Sequence, residues 1–226
     1  MSPDYPPEAL DVKLLIESDD ADTLAAALHA VHASNIDVLI IPASAPRTKP
    51  KALNAGLALA RGEYVAIYDA EDRPHPQQLR AALAAFEDGD EKLACVQAPL
   101  VIDNAGAAWI ARQFAAEYAI QFNEILPLLA MLKLPLPLGG SSNHFRTDIL
   151  RLSGGWDPNN VREKCIAFAA QNQRFARAAL FESRSALISV SNCKKCAIGL
   201  HREAVRVTSA RRACGLRPNF GPCARA

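Results

Sequence analysis

The sequence predicts an α/β fold, a mostly parallel sheet flanked by helices, on three observations. Short runs rich in Val, Ile and Leu recur along residues 1–161, and stretches with apolar residues at helical spacing separate them. Polar clusters directly follow two of the runs. In such sheets ligands bind beyond the carboxyl ends of the strands, so those clusters mark the expected binding edge.

Residues 11–17 (DVKLLIE), 36–42 (IDVLIIP), 63–69 (EYVAIYD) and 92–98 (KLACVQA) read as strands, each closed by acidic, proline or polar residues. Between them 21–34, 49–62 and 75–89 read as helices, the last two ending at glycine. A longer helix is predicted over about 108–126. The prolines and paired glycines of 134–145 (LPLPLGGSSNHF) indicate an extended loop, and 146–157 a short helix with a glycine stop.

With 226 residues, half of them hydrophobic, the chain can bury a core and is not a disordered polypeptide. No apolar run reaches the roughly 18 residues of a membrane span, and the first ten residues lack the pattern of a signal peptide, so a cytoplasmic chain is expected. The net charge of +1 conceals a division. Residues 1–161 hold 12 Lys or Arg against 21 Asp or Glu, and 162–226 hold 13 against 3. Five of the six cysteines also fall after residue 161. A boundary is therefore predicted there, with 10–161 as the domain and 162–226 as a basic, Cys-rich, irregular and poorly ordered tail.

The chemistry concentrates in DAED, residues 69–72. An isolated acidic tetrapeptide is ordinarily a solvated turn capping the next helix. Here it follows a run that predicts a buried strand, placing Asp69 at the strand's lip with Glu71 able to project to the same point. A hard divalent cation held by one or two carboxylates and by substrate phosphates needs such an arrangement. Arg47, Lys49 and Lys51 stand at a helix start, where phosphate oxygens meet N–H groups and ammonium charge. Asp19 and Asp20 follow the first strand, and capping of the next helix is an equally good account of them.

These residues resemble the family 2 glycosyltransferases, inverting enzymes of GT-A fold that include cellulose and chitin synthase relatives. The resemblance covers 10–161 and rests on ESDDADT, RTKPKALNAGLALARGEYVAIYDAEDRPHPQQL, CVQAPLVIDN, LPLGGSSNHFR and GGWDPNNV, in that order. It implies transfer of a sugar from a UDP-sugar to a hydroxyl acceptor, glycan or lipid, with Mg²⁺ or Mn²⁺ and no specific nucleic acid. Asp19, Asp20, Lys49 and Asp69 would contact the nucleotide sugar. Asp69 and Glu71 would hold the metal, with Asp72 as a neighbour. Gln97, Ser141, Ser142, Asn143 and His144 would line the sugar and acceptor region, though a packed or surface imidazole is the plainer account of His144. Relatives are commonly integral to the bacterial inner membrane with the catalytic domain in the cytoplasm, which implies for this chain peripheral association at the inner face of the plasma membrane and a part in polysaccharide biosynthesis. A nucleotidyltransferase also sets carboxylates at strand ends; GGSSNHFR followed by GGWD favours the glycosyl reading.

The resemblance also marks departures. Members continue after GGWDPNNV with Thr-Glu-Asp, the Asp being the general base, whereas this chain has Glu163 and then Lys164. An ammonium has no lone pair to accept a proton, so no catalytic base is expected, and a weak or inactive enzyme is predicted. Residues from about 162 read as out of register with the ancestral frame, and a first nucleotide-contacting strand is expected to be missing. A non-catalytic UDP- and metal-binding fragment, or a non-functional truncated product, is the alternative. In the tail, Cys193, Cys196 and His201 form one Cys-x-x-Cys knuckle, short of the pair a structural zinc site needs.

Overall fold

The computed structural model describes residues 3–132, 134, 136–159 and the strands 177–180, 185–187 and 205–210. After a 3-10 turn at Pro7–Ala9 come β1 (Leu10–Glu17), α1 (Ala21–Ala30), β2 (Ile36–Ile41), α2 (Lys49–Leu59), β3 (Tyr64–Tyr68), β4 (Arg73–Pro74) and α3 (Gln78–Asp88). They are followed by β5 (Leu93–Gln97), β6 (Leu100–Ile102), α4 (Trp109–Ile120), a π turn at Gln121–Ile125, α5 (Leu126–Met131), β7 (Asn143–Arg146) and α6 (Thr147–Leu152). The last strands described are β8 (Arg177–Leu180), β9 (Ser185–Leu187) and β10 (Val205–Ala210).

Seven strands form the main sheet in the order β2-β1-β10-β3-β7-β5-β8, and β4-β9-β6 form a small second sheet. β1, β2, β3, β5 and β8 run one way; β7 and β10 run against them. The direction is thus mostly parallel, as predicted, but each inverted strand separates two strands of the majority direction. β7 is the element the sequence reading placed in a loop. Asn143 and His144 break any apolar run there, yet both are buried, with Asn143 Nδ2 bonded to Gly139 O and His144 Nε2 to Tyr68 Oη.

Local chemistry explains the helices that carry the site. α2 opens with Pro50 in its first turn, where a missing N–H leaves nothing unsatisfied, and buries Ala52, Leu53, Gly56 and Leu57 along one face. α3 buries Leu79, Ala82 and Phe86. The predicted helix over 108–126 continues to Met131. Its π turn lies just before Pro127, whose ring nitrogen cannot donate to the preceding turn. The core lies between α2, the sheet and α5, with Leu15, Leu53, Val65, Ile67, Cys95, Phe122, Leu126, Phe145 and Leu150 at its centre. Among the described residues no helix is long and apolar enough to cross a membrane. The outer side of α4 and α5 exposes Trp109, Ile120, Leu128 and Met131.

Candidate functional site

β3 is buried along its whole length and delivers Asp69 to the binding edge. The chain then turns back on itself. Asp72 N–H donates to Asp69 O at 3.1 Å, and Asp72 Oδ2 accepts from Asp69 N–H at 2.8 Å. This closure draws Asp72 inward to 8% exposure and leaves Glu71 exposed. Of the acidic trio, only Asp69 stands at the boundary between interior and solvent.

Lys49, the first residue of α2, lies buried against this turn. Its Nζ is ion-paired with Asp69 Oδ1 and donates to Gly140 O at 2.9 Å. Ser141 Oγ donates to Asp72 Oδ2, which joins the loop before β7 to the same cluster. Asp72 Oδ1 is buried with no hydrogen-bond partner among the described residues. Burial pushes the Asp72 carboxyl up; the Ser141 hydrogen bond opposes it and the Asp69 charge adds to it, leaving the pKa at about 6.

The loop 139–142 is positioned by Gln97 at the end of β5. Its Nε2 donates to Ser141 O at 3.0 Å and to Ala98 O at 3.1 Å, while its Oε1 accepts from Gly139 N–H at 2.9 Å. Ser142 adopts φ 56°, a rare value for a side-chain-bearing residue, and in that conformation it connects two strands. Its N–H donates to Ile67 O at 2.7 Å, and its O accepts from Ala98 N–H at 3.0 Å. Asn143 Nδ2 donates to Gly139 O, and Asn143 Oδ1 is buried without a partner among the described residues. His144 points into the sheet interior, its Nε2 3.1 Å from Tyr68 Oη, which in turn donates to Gln78 Oε1 at 2.9 Å. Burial lowers the His144 pKa to about 4 and raises that of the Tyr68 phenol, so both are neutral at pH 7.

At the tip of β1, Asp19 pairs with Arg47 at 2.6 Å, both exposed. Asp20 caps α1, accepting from Thr23 N–H at 3.3 Å and Thr23 Oγ1 at 2.7 Å, and is buried. Lys51 turns away from Asp69, pairing with Glu17 at 3.0 Å and donating to Pro42 O and Ser44 O. Arg47 and Lys49 are two residues apart, so one short segment, spanning at most about 7 Å between Cα atoms, reaches the acidic ends of both β1 and β3.

The GGWD turn is fastened to the same helix. Trp156 N–H donates to Asn54 Oδ1 at 2.9 Å, Asn54 Nδ2 to Trp156 O at 2.7 Å, and Thr48 Oγ1 to Pro158 O at 2.7 Å. Gly155 has φ +74°, and a Cβ there would stand 2.4 Å from Asn54 Oδ1, so no other residue fits without displacement. Glu163, Lys164, Cys193, Cys196 and His201 lie outside the described residues. Among the described residues no three His, Cys, Asp or Glu side chains converge as a ligand set. Asp72, expected only as a neighbour of the metal-holding pair, is the carboxylate that closes the turn. The available signal was the Asp-x-x-Asp spacing, in which the second carboxylate can close the turn on the first.

Among solved structures, glucosyl-3-phosphoglycerate synthase from Mycobacterium tuberculosis in complex with Mn²⁺, UDP and glucosyl-3-phosphoglycerate is 16% identical. Its TM-score is 0.47 over 78% of this chain and 60% of that one. The same enzyme with Mn²⁺ and UDP-glucose is 18% identical, with a TM-score of 0.45 over 73% of this chain and 55% of that one. This chain therefore spans somewhat more than half the length of these synthases. No curated protein sequence matches it. Residues 9–147, more than half of the chain, match the family model described as Glycosyl transferase family 2. The chain accordingly belongs to glycosyl transferase family 2.

Proposed function

We propose that the described residues form the donor-binding part of a glycosyltransferase that takes a UDP-sugar and a divalent cation, Mg²⁺ or Mn²⁺, and serves a hydroxyl acceptor with inversion at the anomeric carbon. The observation that carries this reading is the buried Asp72 Oδ1, without a partner among the described residues, beside Asp69 at the tip of β3. Buried carboxylate oxygens are ordinarily satisfied, so an orphan at a binding edge calls for a cation or a donor from outside. The donor set fits a hard ion held by one or two carboxylates and completed by phosphate oxygens, rather than an all-protein cage. Asp69 and Glu71 would hold it, with Asp72 Oδ1 beside Asp69 as a further oxygen. Bound there, the cation offsets negative charge developing on the departing diphosphate.

The other residues take roles from their positions. Lys49 holds Asp69 in place and offers its charge to the diphosphate. Asp19 and Arg47, exposed on the β1 side, meet the nucleoside end, while Asp20 supports them as the cap of α1. Asn143 Oδ1 is an acceptor for a sugar hydroxyl, and Gln97 and Ser142 fix the loop that presents it. His144 is packed inside the sheet against Tyr68 and transfers no proton. Direct displacement needs a base opposite the leaving diphosphate, and the resemblance assigns that place to Lys164, beyond the family match at 9–147. The chain is therefore expected to bind donor and turn over weakly or not at all.

UDP release measured over a panel of UDP-sugars, with calorimetry of UDP in Mn²⁺ and Asp69→Ala as control, tests the reading. Metal-dependent UDP binding lost in the control, with little release, is the expected result. Robust release abolished by the control would overturn the expectation of a crippled enzyme; absence of UDP binding would remove the donor-site reading itself.

A further inference from the structure

β10 lies in the middle of the main sheet, between two strands that carry the site. It is antiparallel to both neighbours, from Leu10↔Ala210 to Leu15↔Val205 on one side and from Tyr64↔Ala210 to Tyr68↔Arg206 on the other. β1 and β3 consequently run parallel to each other, two inter-strand spacings apart, or about 9.5 Å. No backbone N–H···O=C bond closes that distance. Without a strand in this position the sheet divides into β2-β1 and β3-β7-β5-β8, and the facing edges of β1 and β3 keep unpaired backbone groups in the core, where Leu15, Val65 and Ile67 are at most 1% exposed. The strand that fills the place comes from far along the chain, outside the family match at 9–147 and within the basic segment 162–226.

We propose that the space between β1 and β3 is a strand-accepting site, and that residues 205–210 occupy it in cis as the donor strand that joins the two halves of the nucleotide-binding edge. Strand addition of this kind works through main-chain hydrogen bonds, so a six-residue extended segment suffices and its side chains set only the fit. Direction adds a functional consequence. Val205 pairs beside Leu15 and Arg206 beside Tyr68, so the strand enters at the edge where β1 presents Asp19 and β3 presents Asp69. A ligand touching both tips is held only while the donor strand keeps them in register. This inference stands on sheet topology and does not depend on which ligand the edge takes.

Hydrogen exchange of the full chain, read by mass spectrometry, tests it. Amides 205–210 should be as protected as those of β1 and β3. Val207→Pro, which removes a ladder N–H from a central strand, should speed exchange of 10–15 and 64–68 at least 100-fold, whereas Ala224→Pro should change neither. A synthetic peptide spanning 203–212, added to Val207→Pro, should slow those amides again, including when the variant has lost structure everywhere. The proposal is overturned if 205–210 exchange like a free peptide in the unaltered chain, if Val207→Pro leaves β1 and β3 protected, or if the peptide restores nothing. Protection that disappears on dilution would equally overturn it, because the strand would then come from a second copy.

Discussion

Lys13 and Lys49 are both buried, both paired with aspartate, and stand toward opposite ends of the same sheet, yet the charges around them are balanced differently. Near the start of β1, Lys13 pairs with Asp11 at 2.7 Å and with Asp37, while Arg61 adds a side-chain hydrogen bond at 2.8 Å and a backbone one at 3.1 Å to Asp11. Burial pushes the Asp11 carboxyl up, but the bonds from Arg61 and Lys13 outweigh it and hold the pKa at about 2. Two cations face two anions, and the cluster is complete. At the tip of β3, Lys49 faces Asp69 with Glu71 and Asp72 close by in the chain, and burial lifts Asp72 to about 6. Among the described residues the first arrangement is balanced and the second is short of positive charge, which is the usual mark of a site that takes something.

The strongest way to break this contrast is to remove one aspartate from each end. Asp69→Ala is expected to reduce UDP affinity in Mn²⁺ at least 100-fold by calorimetry, equivalent to about 2.7 kcal/mol. Asp11→Asn should leave that affinity unchanged and lower the unfolding midpoint in urea. Equal effects on affinity from the two variants would show that the tip of β3 has no special part in binding.

Lysine replacements sharpen the contrast by asking what a metal can restore. Lys13→Met leaves Asp11 to Arg61 alone and Asp37 to Arg61 and solvent, and is expected to destabilise the chain by about 2 kcal/mol, since the buried carboxylate loses one of its two cations. Mn²⁺ should not recover that loss. Lys49→Met deepens the deficit around Asp69, so the loss in EDTA should be largely recovered by Mn²⁺. Denaturant titrations with and without metal decide it; recovery in both variants or in neither would end the distinction between a closed and an open cluster.

Acidity provides a third test, because two buried groups at the β3 end titrate with opposite sign. Folding raises the Asp72 pKa from 3.8 to about 6, so the folded state takes up the proton first and acidification from pH 6 to 4 stabilises it. Folding lowers the His144 pKa from 6.5 to about 4, so the unfolded state takes up the proton first and acidification from pH 6.5 to 4 destabilises it. Each is worth on the order of 3 kcal/mol across its window, and together they nearly cancel. Asp72→Asn should therefore expose a fall in stability on acidification, and His144→Gln a rise. Identical profiles in the two variants would show that neither group titrates as its burial demands.

What the sequence discloses about each end follows from how far apart the interacting residues lie. β1, β2, β3 and β5 are legible because each is a short apolar run, and α2 and α3 because their buried residues recur at helical spacing. Asp69 and Lys49 were recognisable as a pair of candidates because a strand end and a helix start announce themselves locally. β7 was not legible: it includes Asn143 and His144, whose side chains are met by Gly139 O and by Tyr68 of β3, while its backbone pairs with β3 and β5. β10 was less legible still, since a strand of the tail pairs with strands more than 130 residues earlier and no local pattern records that. The Asp11–Lys13–Asp37–Arg61 cluster escaped for the same reason, as alternation along β1 shows a charged position without showing what satisfies it.

The smallest expected effect lies on the β1 side of the edge and bounds the comparison from below. Asp19 and Arg47 make a short ion pair at 2.6 Å, but both side chains are about half exposed, and exposed pairs are weakened by solvent and salt. Arg47→Ala should therefore reduce UDP affinity only about threefold at low ionic strength, and the difference should vanish when salt is raised to about 0.5 M, where charges are screened within a few ångströms. Stability should not change measurably. Calorimetry at the two salt concentrations separates a guanidinium that only attracts the nucleotide from one that fastens it. A loss approaching that of Asp69→Ala, persisting in high salt, would mean that Arg47 becomes buried against the ligand, and that the β1 side of the edge closes around the nucleotide in a way its ligand-free exposure does not disclose.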